Sequence, residues 1–173
     1  MNARLAEREL KTRFGTSTEI LYYDGQSESI ALVMGNVESE ENVLCRIHSS
    51  CISAHVFNSI ECDCRQEMEI SQAMIEKEGK GVIIWLDQEG KGNGHLALME
   101  SIKFKKQGFS QGEAYEKAGY RADARSFRPA AEILAELEVK SVILLTNNPE
   151  KAEDLRRASI AVSYTKQIIL AEA

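Results

Sequence analysis

The first half of the chain carries short apolar runs that are typical of β-strands. Three runs rich in Ile, Leu, Val and Tyr, at residues 19–23, 29–34 and 42–47, are separated by Gly, Asp, Asn and Ser, which predicts an antiparallel meander or hairpin sheet. Two later runs, at residues 81–86 and 142–145, are apolar at almost every position. That pattern indicates strands that are buried on both faces.

Helical patterns surround the two later strands. Residues 65–78 place apolar side chains mostly on one side and charges opposite them, which predicts an amphipathic helix that ends at Gly79. Near residue 148, Asn148 can cap a helix whose first turn holds Pro149 and which contains Lys151. Further helices are predicted over residues 95–107, 112–118 and 127–137, the last of them opened near Pro129.

Composition narrows the class of protein. The 173 residues, 43% hydrophobic and 28% charged, suffice for one domain with a real core. We therefore predict a single α+β or mixed α/β domain over residues 1–173, with N-terminal antiparallel strands followed by buried strands and flanking helices. The net charge of −6 argues against polymeric nucleic acid as a partner. No stretch resembles a signal peptide or is long enough for a membrane span, so we expect a cytoplasmic protein with no membrane role.

Three of the four cysteines indicate a metal site. Zn²⁺ binds thiolates well, and a site with three protein ligands, here Cys51, Cys62 and Cys64, leaves a fourth position for water or substrate. Cys62 and Cys64 lie among charged residues at the start of a predicted helix, whose electropositive end is expected to lower the thiol pKa. Burial in the core or a disulfide is the alternative. The apolar neighbours of Cys45 predict a core position for that residue.

Two loops follow the two buried strands. Residues 87–95 contain three glycines, so their backbone can approach a ligand closely at the end of a strand, where open α/β sheets bind ligands. The alternative is a plain strand-to-helix turn. After the second strand, Thr146 and Lys151 are predicted to face the same mouth and grip a phosphate. Ordinary helix capping is the alternative there.

Five segments, in this order and spacing, resemble the GTP cyclohydrolase II family, whose members open the imidazole ring of guanine at the start of riboflavin biosynthesis. They are RIHSSC (46–51), ECDC (61–64), DQEGKGNG (87–94), ADAR (122–125) and LLTNNPEK (144–151). The resemblance covers nearly the whole chain. It implies a homodimer, a nucleotide substrate and one Zn²⁺ per chain held by the three cysteines, and Mg²⁺ with the nucleotide phosphates is a further expectation.

The resemblance also implies roles for individual residues. Zinc lowers the pKa of water, but three thiolates weaken that effect, so a base is needed, and Glu89 or Asp123 could serve. Arg125 is directed at the α-phosphate during pyrophosphate release, and because arginine stays protonated we favour an electrostatic role. The positions implied to bind substrate are Arg46, His48, Ser50, Glu67, Lys91, Gly92, Ile102, Gln111, Thr146 and Lys151.

Several positions depart from the residues usual in that family. Ser50 replaces a Glu, Glu67 a Gln, Lys91 an Arg and Gln111 a Thr, while Asn93 and His95 stand where apolar residues are usual. Because these changes converge on the base-facing side, one alternative is that the protein opens a different nucleotide ring, such as a pyrimidine in uracil catabolism. Another is a non-catalytic, zinc-containing nucleotide sensor, against which the presence of Asp123 and Arg125 argues.

The position of the family's active-site tyrosine falls on Ile102. Release of formate from a purine takes two hydrolytic events, ring opening to a formamide and then cleavage of that amide, and each needs a proton donor or an oxyanion donor. Isoleucine supplies neither. The sequence therefore predicts that a formamidopyrimidine nucleotide accumulates, unless His95 or Glu67 compensates.

Overall fold

A computed structural model describes residues 2–148 and 150–170, and a seven-stranded mixed sheet forms its centre, in the order β1-β2-β3-β5-β4-β6-β7. β1, β2 and β3 form an antiparallel meander, and β5 pairs with β3 in the same sense. β4 is parallel to β5 and β6, and β6 is parallel to β7. The strands are β1 Ala3–Thr12, β2 Gly15–Tyr23, β3 Glu28–Met34, β4 Val43–Ser49, β5 Gly81–Leu86, β6 Ser141–Leu145 and β7 Ala161–Lys166.

The strands predicted from apolar runs are all present, and the mixed α/β class is confirmed. The predicted place of one strand in the sheet was wrong. The strand predicted at 42–47, which is β4, does not extend the antiparallel meander but lies between β5 and β6. Its residues from Val43 to His48 are all buried, and a strand buried on both faces belongs at the centre of a sheet. β1 and β7 were not predicted. Both lie at sheet edges and are largely exposed, so neither carries an apolar run.

Six helices lie within the described part of the chain, besides a turn of 3₁₀ helix at Glu89–Gly92. α2 ends as predicted at Gly79, which adopts a left-handed conformation with φ of 74°. Pro129 occupies the first turn of α5, whereas the predicted role of Pro149 lies outside the described residues. The helices are α1 Ile52–His55, α2 Cys64–Glu78, α3 His95–Lys105, α4 Gln111–Lys117, α5 Arg128–Glu136 and α6 Glu150–Arg157.

The sheet has an apolar core on each face. The larger core packs α5 and α6, through residues such as Ile133 and Leu155, against one face. The smaller core packs α2 against the other face, where Ile75 meets Leu44. Cys45 is fully buried in the larger core, which confirms its predicted position. Among the residues that the structure describes, no helix is long and apolar enough to cross a membrane.

Candidate active site

A cavity of about 400 Å³ opens where β4 and β5 end. Parallel strands end at the same edge of a sheet, which brings the segment after β4 together with the glycine loop after β5. α3 and α4 complete the wall. The predicted site residues that line the cavity are Ser50, Cys51, Cys62, Cys64, Glu89, Lys91, Ile102, Gln111 and Arg125.

The three predicted metal ligands meet at this cavity. The sulfur atoms of Cys51, Cys62 and Cys64 all lie within 4.8 Å of one another, and the Sγ atoms of Cys51 and Cys62 are 3.7 Å apart. Each residue is partly buried and unpaired as a disulfide. Three converging soft donors that remain accessible from a cavity suit a Zn²⁺ ion with an open coordination position.

Burial outweighs the effect of the helix end on the thiol of Cys64. Although Cys64 is the first residue of α2, burial and the neighbouring sulfur of Cys51 raise its pKa well above the ordinary value. Burial also raises the pKa of Cys51. A cation bound by Cys51 and Cys64 would remove these protons, because a coordinating thiol loses its proton to the metal.

Glu89 ties the glycine loop to the cysteine segment. Its Oε2 atom accepts a hydrogen bond from the backbone N–H of Ile52, the residue directly after Cys51, at 2.9 Å. Its Oε1 atom lies 3.8 Å from Nδ1 of His95. Glu89 is 9% exposed, and its Oε1 atom takes no part in the backbone contact.

Gly92 brings the segment 122–125 against the same loop. Its φ is +81°, and a Cβ atom there would lie 2.8 Å from the carbonyl carbon of Ala124. The N–H of Ala124 donates to the carbonyl oxygen of Lys91 at 2.9 Å. This close approach of two backbones requires glycine and fixes the residues on either side of Ala124, Asp123 and Arg125.

Asp123 and Arg125 form a close ion pair at the edge of the cavity. Nε of Arg125 donates to Oδ1 of Asp123 at 3.0 Å, and Nη2 donates to Oδ2 at 2.5 Å. Nζ of Lys91 lies 3.9 Å from the same carboxylate. Burial acts to raise the pKa of Asp123, but the hydrogen bonds and the two cationic side chains outweigh it, so the pKa is lowered. Asp123 is thus an ionised carboxylate at neutral pH.

Two other predicted substrate-binding residues, Arg46 and His48, are buried and do not line the cavity. Arg46 is 3% exposed and donates to Oε2 of Glu67 at 2.6 Å and to the carbonyl oxygen of Leu145 at 3.1 Å. His48 lies beside it, with Nε2 2.9 Å from Nε2 of His55. Burial and then the charge of Arg46 lower the pKa of His48 to about 3, so its ring is neutral. The pairing of these side chains was not predicted from the sequence.

Thr146 and Lys151 lie at the end of β6 as predicted, but both are buried. Nζ of Lys151 donates to the carbonyl oxygen of Ile47 at 3.1 Å, and Oγ1 of Thr146 donates to the carbonyl oxygen of Asn148 at 3.1 Å. Burial, and then the charges of Arg46 and Arg125, lower the pKa of Lys151 to about 7. Neither side chain lines the cysteine cavity.

The cationic side chains of Arg125 and Lys151 both lie near the ring of Phe127. Cζ of Arg125 lies 5.4 Å from the ring centre of Phe127, and Nζ of Lys151 lies 5.7 Å from the same centre. Arg125 thus reaches both the cavity and the surroundings of Lys151. A ligand in the cavity with an anionic extension would meet Arg125 first.

Ser50 and Gln111 are two more predicted positions in the cavity wall, whereas Tyr115 was not predicted. Ser50 accepts a hydrogen bond from the N–H of Gln88 at 3.0 Å, and Gln111 donates to Oγ of Ser101 at 3.2 Å. Tyr115 also lines the cavity, but the sequence did not single it out. Tyr115 is the one residue of the short predicted helix 112–118 whose side chain carries a hydroxyl group, and this was the available signal.

Comparison with known proteins places these features in a family. The sequence model of GTP cyclohydrolase II matches residues 3–167. The riboflavin biosynthesis protein RibBA of Bacillus cereus is 42% identical over 161 residues, which cover 92% of this chain and 41% of that protein. RibBA of Bacillus mycoides is 41% identical over 162 residues, with the same coverage of both chains.

The chain therefore spans about two fifths of the length of these relatives. A solved structure, RibBX from A. baumannii, described as a two-domain 3,4-dihydroxy-2-butanone 4-phosphate synthase, matches with a TM-score of 0.52. Its sequence identity is 16%, and the match covers 95% of this chain and 40% of that one, so the likeness concerns the fold alone. The extent of the sequence match, together with the cysteine cavity and the glycine loop, shows that the chain belongs to the GTP cyclohydrolase II family.

Proposed function

We propose that this chain is a zinc-dependent hydrolase that opens the imidazole ring of GTP and releases pyrophosphate. The members of its family are hydrolases, and its relatives are riboflavin biosynthesis proteins. The single observation that carries the proposal is the convergence of three cysteine sulfurs within 4.8 Å at a cavity that Glu89 and Arg125 also line.

The donor set fits one Zn²⁺ per chain. Cys51, Cys62 and Cys64 would hold the ion, and Cys45 would take no part because it lies fully buried in the core. When bound, zinc supplies a Lewis acid and an acidified water for attack at C8. Three thiolates reduce that acidity, so the reaction also needs a proton acceptor from the protein.

Two carboxylates near the cavity can accept that proton. Glu89 lines the wall and keeps Oε1 away from its backbone contact, whereas Asp123 is ionised but engaged by Arg125. The variants Glu89→Gln and Asp123→Asn separate their roles. Replacement of the residue that accepts the proton should lower kcat, while the zinc content stays constant. Loss of kcat in neither variant would refute both assignments.

The phosphates would occupy the cationic side of the site. Arg125 would stabilise the α-phosphate, and Lys151, Arg46 and Thr146 would hold the remaining phosphates, with Mg²⁺ as their counterion. Substrate entry must then open the contacts that bury Lys151. This arrangement favours a nucleotide over a nucleoside or a free base. Equal turnover of guanosine and GTP would contradict the proposal.

A second candidate is ring opening of a different nucleotide, such as a pyrimidine nucleotide. It is favoured by one observation: Ser50, Lys91, His95, Ile102 and Gln111, all departures from the family's usual residues, line the same cavity. A panel of purine and pyrimidine nucleotides, assayed for formate, pyrophosphate and loss of ring absorbance, decides between the two. Turnover of none of them by zinc-loaded protein would leave the non-catalytic zinc-containing sensor.

We further propose a homodimer that acts in the cytoplasm on a small-molecule nucleotide, with no nucleic-acid or membrane partner. Two-fold dimers are the commonest oligomers. Light scattering that gave a mass of 19.3 kDa at micromolar concentration would rule out the dimer.

A further inference from the structure

Tyr115 presents a hydroxyl group to the cysteine cavity. The residue is 1% exposed, and its side chain forms part of the wall together with the three cysteines. A Cβ atom on Gly90 would lie 3.4 Å from the Tyr115 hydroxyl oxygen, which places that oxygen against the glycine loop. The burial of the ring leaves the hydroxyl little freedom to point elsewhere.

That hydroxyl has no hydrogen-bond partner among residues 2–148 and 150–170. Two other tyrosines do have a partner for their hydroxyl group: Tyr22 donates to Glu136 at 2.6 Å, and Tyr120 donates to Glu100 at 2.5 Å. A tyrosine hydroxyl in the wall of an open cavity can donate to water or to a ligand that enters the cavity. The Tyr115 hydroxyl is therefore available to a bound ligand, because no group in the described part of the chain competes for its hydrogen bond.

The surrounding charges keep this hydroxyl protonated. Burial, followed by the negative charge of Glu89, raises the pKa of Tyr115 to about 12. The group is a hydrogen-bond donor at neutral pH. It can therefore stabilise an oxyanion, or donate to a departing nitrogen so that the nitrogen does not carry a negative charge.

We propose that Tyr115 is a further catalytic residue, which donates its hydroxyl hydrogen bond to the formyl oxygen during the second hydrolysis. The inference rests on the proposed function. In that step the oxygen of water bonds to the formyl carbon, and the carbonyl oxygen gains the negative charge that Tyr115 stabilises. The carbon–nitrogen bond then breaks, the nitrogen takes a proton from the attacking water, and formate leaves. The second proton of the water passes to the proton acceptor, so formamide and water give amine, formate and one proton.

This role changes the product expected from the sequence. Ile102 lines the same cavity without a donor, which predicted accumulation of the formamide. Tyr115 supplies the missing hydroxyl from α4 instead of α3. The wild-type protein is therefore expected to release one formate for each GTP consumed.

The test is Tyr115→Phe in the full, zinc-loaded chain, with Tyr120→Phe as the matched control on a partly buried tyrosine that does not line the cavity. Formate release by Tyr115→Phe should fall about 100-fold, as loss of one oxyanion donor typically does. GTP consumption, KM and zinc content should change little. Mass spectrometry should then show a product that is heavier by one formyl group, whereas Tyr120→Phe should match the wild type.

Two further variants exclude a merely structural role. Ile102→Tyr added to Tyr115→Phe should restore part of the formate release, because it returns a hydroxyl to the same cavity. Fluorotyrosine at position 115, whose phenol is more acidic, should move the alkaline limb of the formate-release pH profile to lower pH and remains informative if Tyr115→Phe does not fold.

The outcomes separate the inference from the proposed function. Wild-type protein that consumes GTP but retains the formyl group overturns the role of Tyr115 and leaves the proposed ring opening intact. Undiminished formate release by Tyr115→Phe, or an unmoved pH profile with fluorotyrosine, does the same. Wild-type protein that leaves GTP unchanged overturns the proposed function, and the inference falls with it.

Discussion

Replacement of Lys151 by methionine should stabilise the fold while it weakens nucleotide binding. Lys151 is 6% exposed, and its pKa is lowered from 10.5 to about 7. That difference means that the fold disfavours the charged lysine by about 5 kcal/mol. The unfolded chain keeps this proton up to about pH 10, so the penalty is full below pH 7 and declines as the pH rises toward 10.5.

Lys151→Met should therefore raise the free energy of unfolding by several kcal/mol at pH 6. About 5 kcal/mol is the upper limit, because loss of the hydrogen bond to the Ile47 carbonyl returns about 1 kcal/mol. The gain should shrink by about 1.4 kcal/mol for each pH unit above 7. Affinity for GTP should fall by about 2 kcal/mol or more.

Urea denaturation at pH 6, 7.5 and 9, with calorimetric titration of GTP at each pH, measures both effects. Lys140→Met is the control, because Lys140 is an exposed lysine outside the site. A Lys151→Met variant that is less stable than the wild type at every pH would refute the reasoning. So would a stability gain that stays constant between pH 7.5 and 9.

Two further predictions concern the metal and the loop. Cys62→Ser should lose most of its zinc by elemental analysis while Cys45→Ser retains about one ion per chain, and the reverse pattern would exclude the ligand set. Gly92→Ala should lower kcat about 100-fold with zinc retained, because its Cβ would meet the Ala124 backbone at 2.8 Å and displace the Asp123–Arg125 pair, and unchanged turnover would show that this backbone contact does not position the pair.

The elements that could be predicted are those whose burial leaves a pattern in the sequence. Residues 81–86 are apolar because β5 is covered on both faces, and the strand has those same bounds in the structure. β1 left no such pattern, since most of its side chains face solvent and its order comes from backbone pairing with β2. The position of β4 depends on non-local pairing, which the apolar run at 42–47 does not encode.

The same distinction separates the predicted from the unpredicted parts of the site. The cysteines were found because their chemistry is unusual among charged neighbours, and the structure brings their sulfurs together. Tyr115 was missed because a tyrosine in a short helix is ordinary until its contact with Gly90 is known. The burial of Arg46 and Lys151 was also missed. Charged residues are usually solvated, and these two are buried because Arg46 pairs with Glu67 and the Leu145 carbonyl and Lys151 with the Ile47 carbonyl.

The sheet explains why these groups share one edge. β5, β4 and β6 run parallel, so the glycine loop, Cys51 and Thr146 each follow the carboxyl end of one of three adjacent strands. The cysteine sulfurs lie after the central strand, β4, in the cavity that the glycine loop also lines. Lys151 lies beyond β6. Arg125 lines the same cavity as the cysteines and lies near the ring of Phe127, as Lys151 does. We therefore expect a bound nucleotide to place its base over the cysteines and its phosphates toward β6. In that orientation Arg125 lies at the α-phosphate, between the ring that opens and the pyrophosphate that leaves.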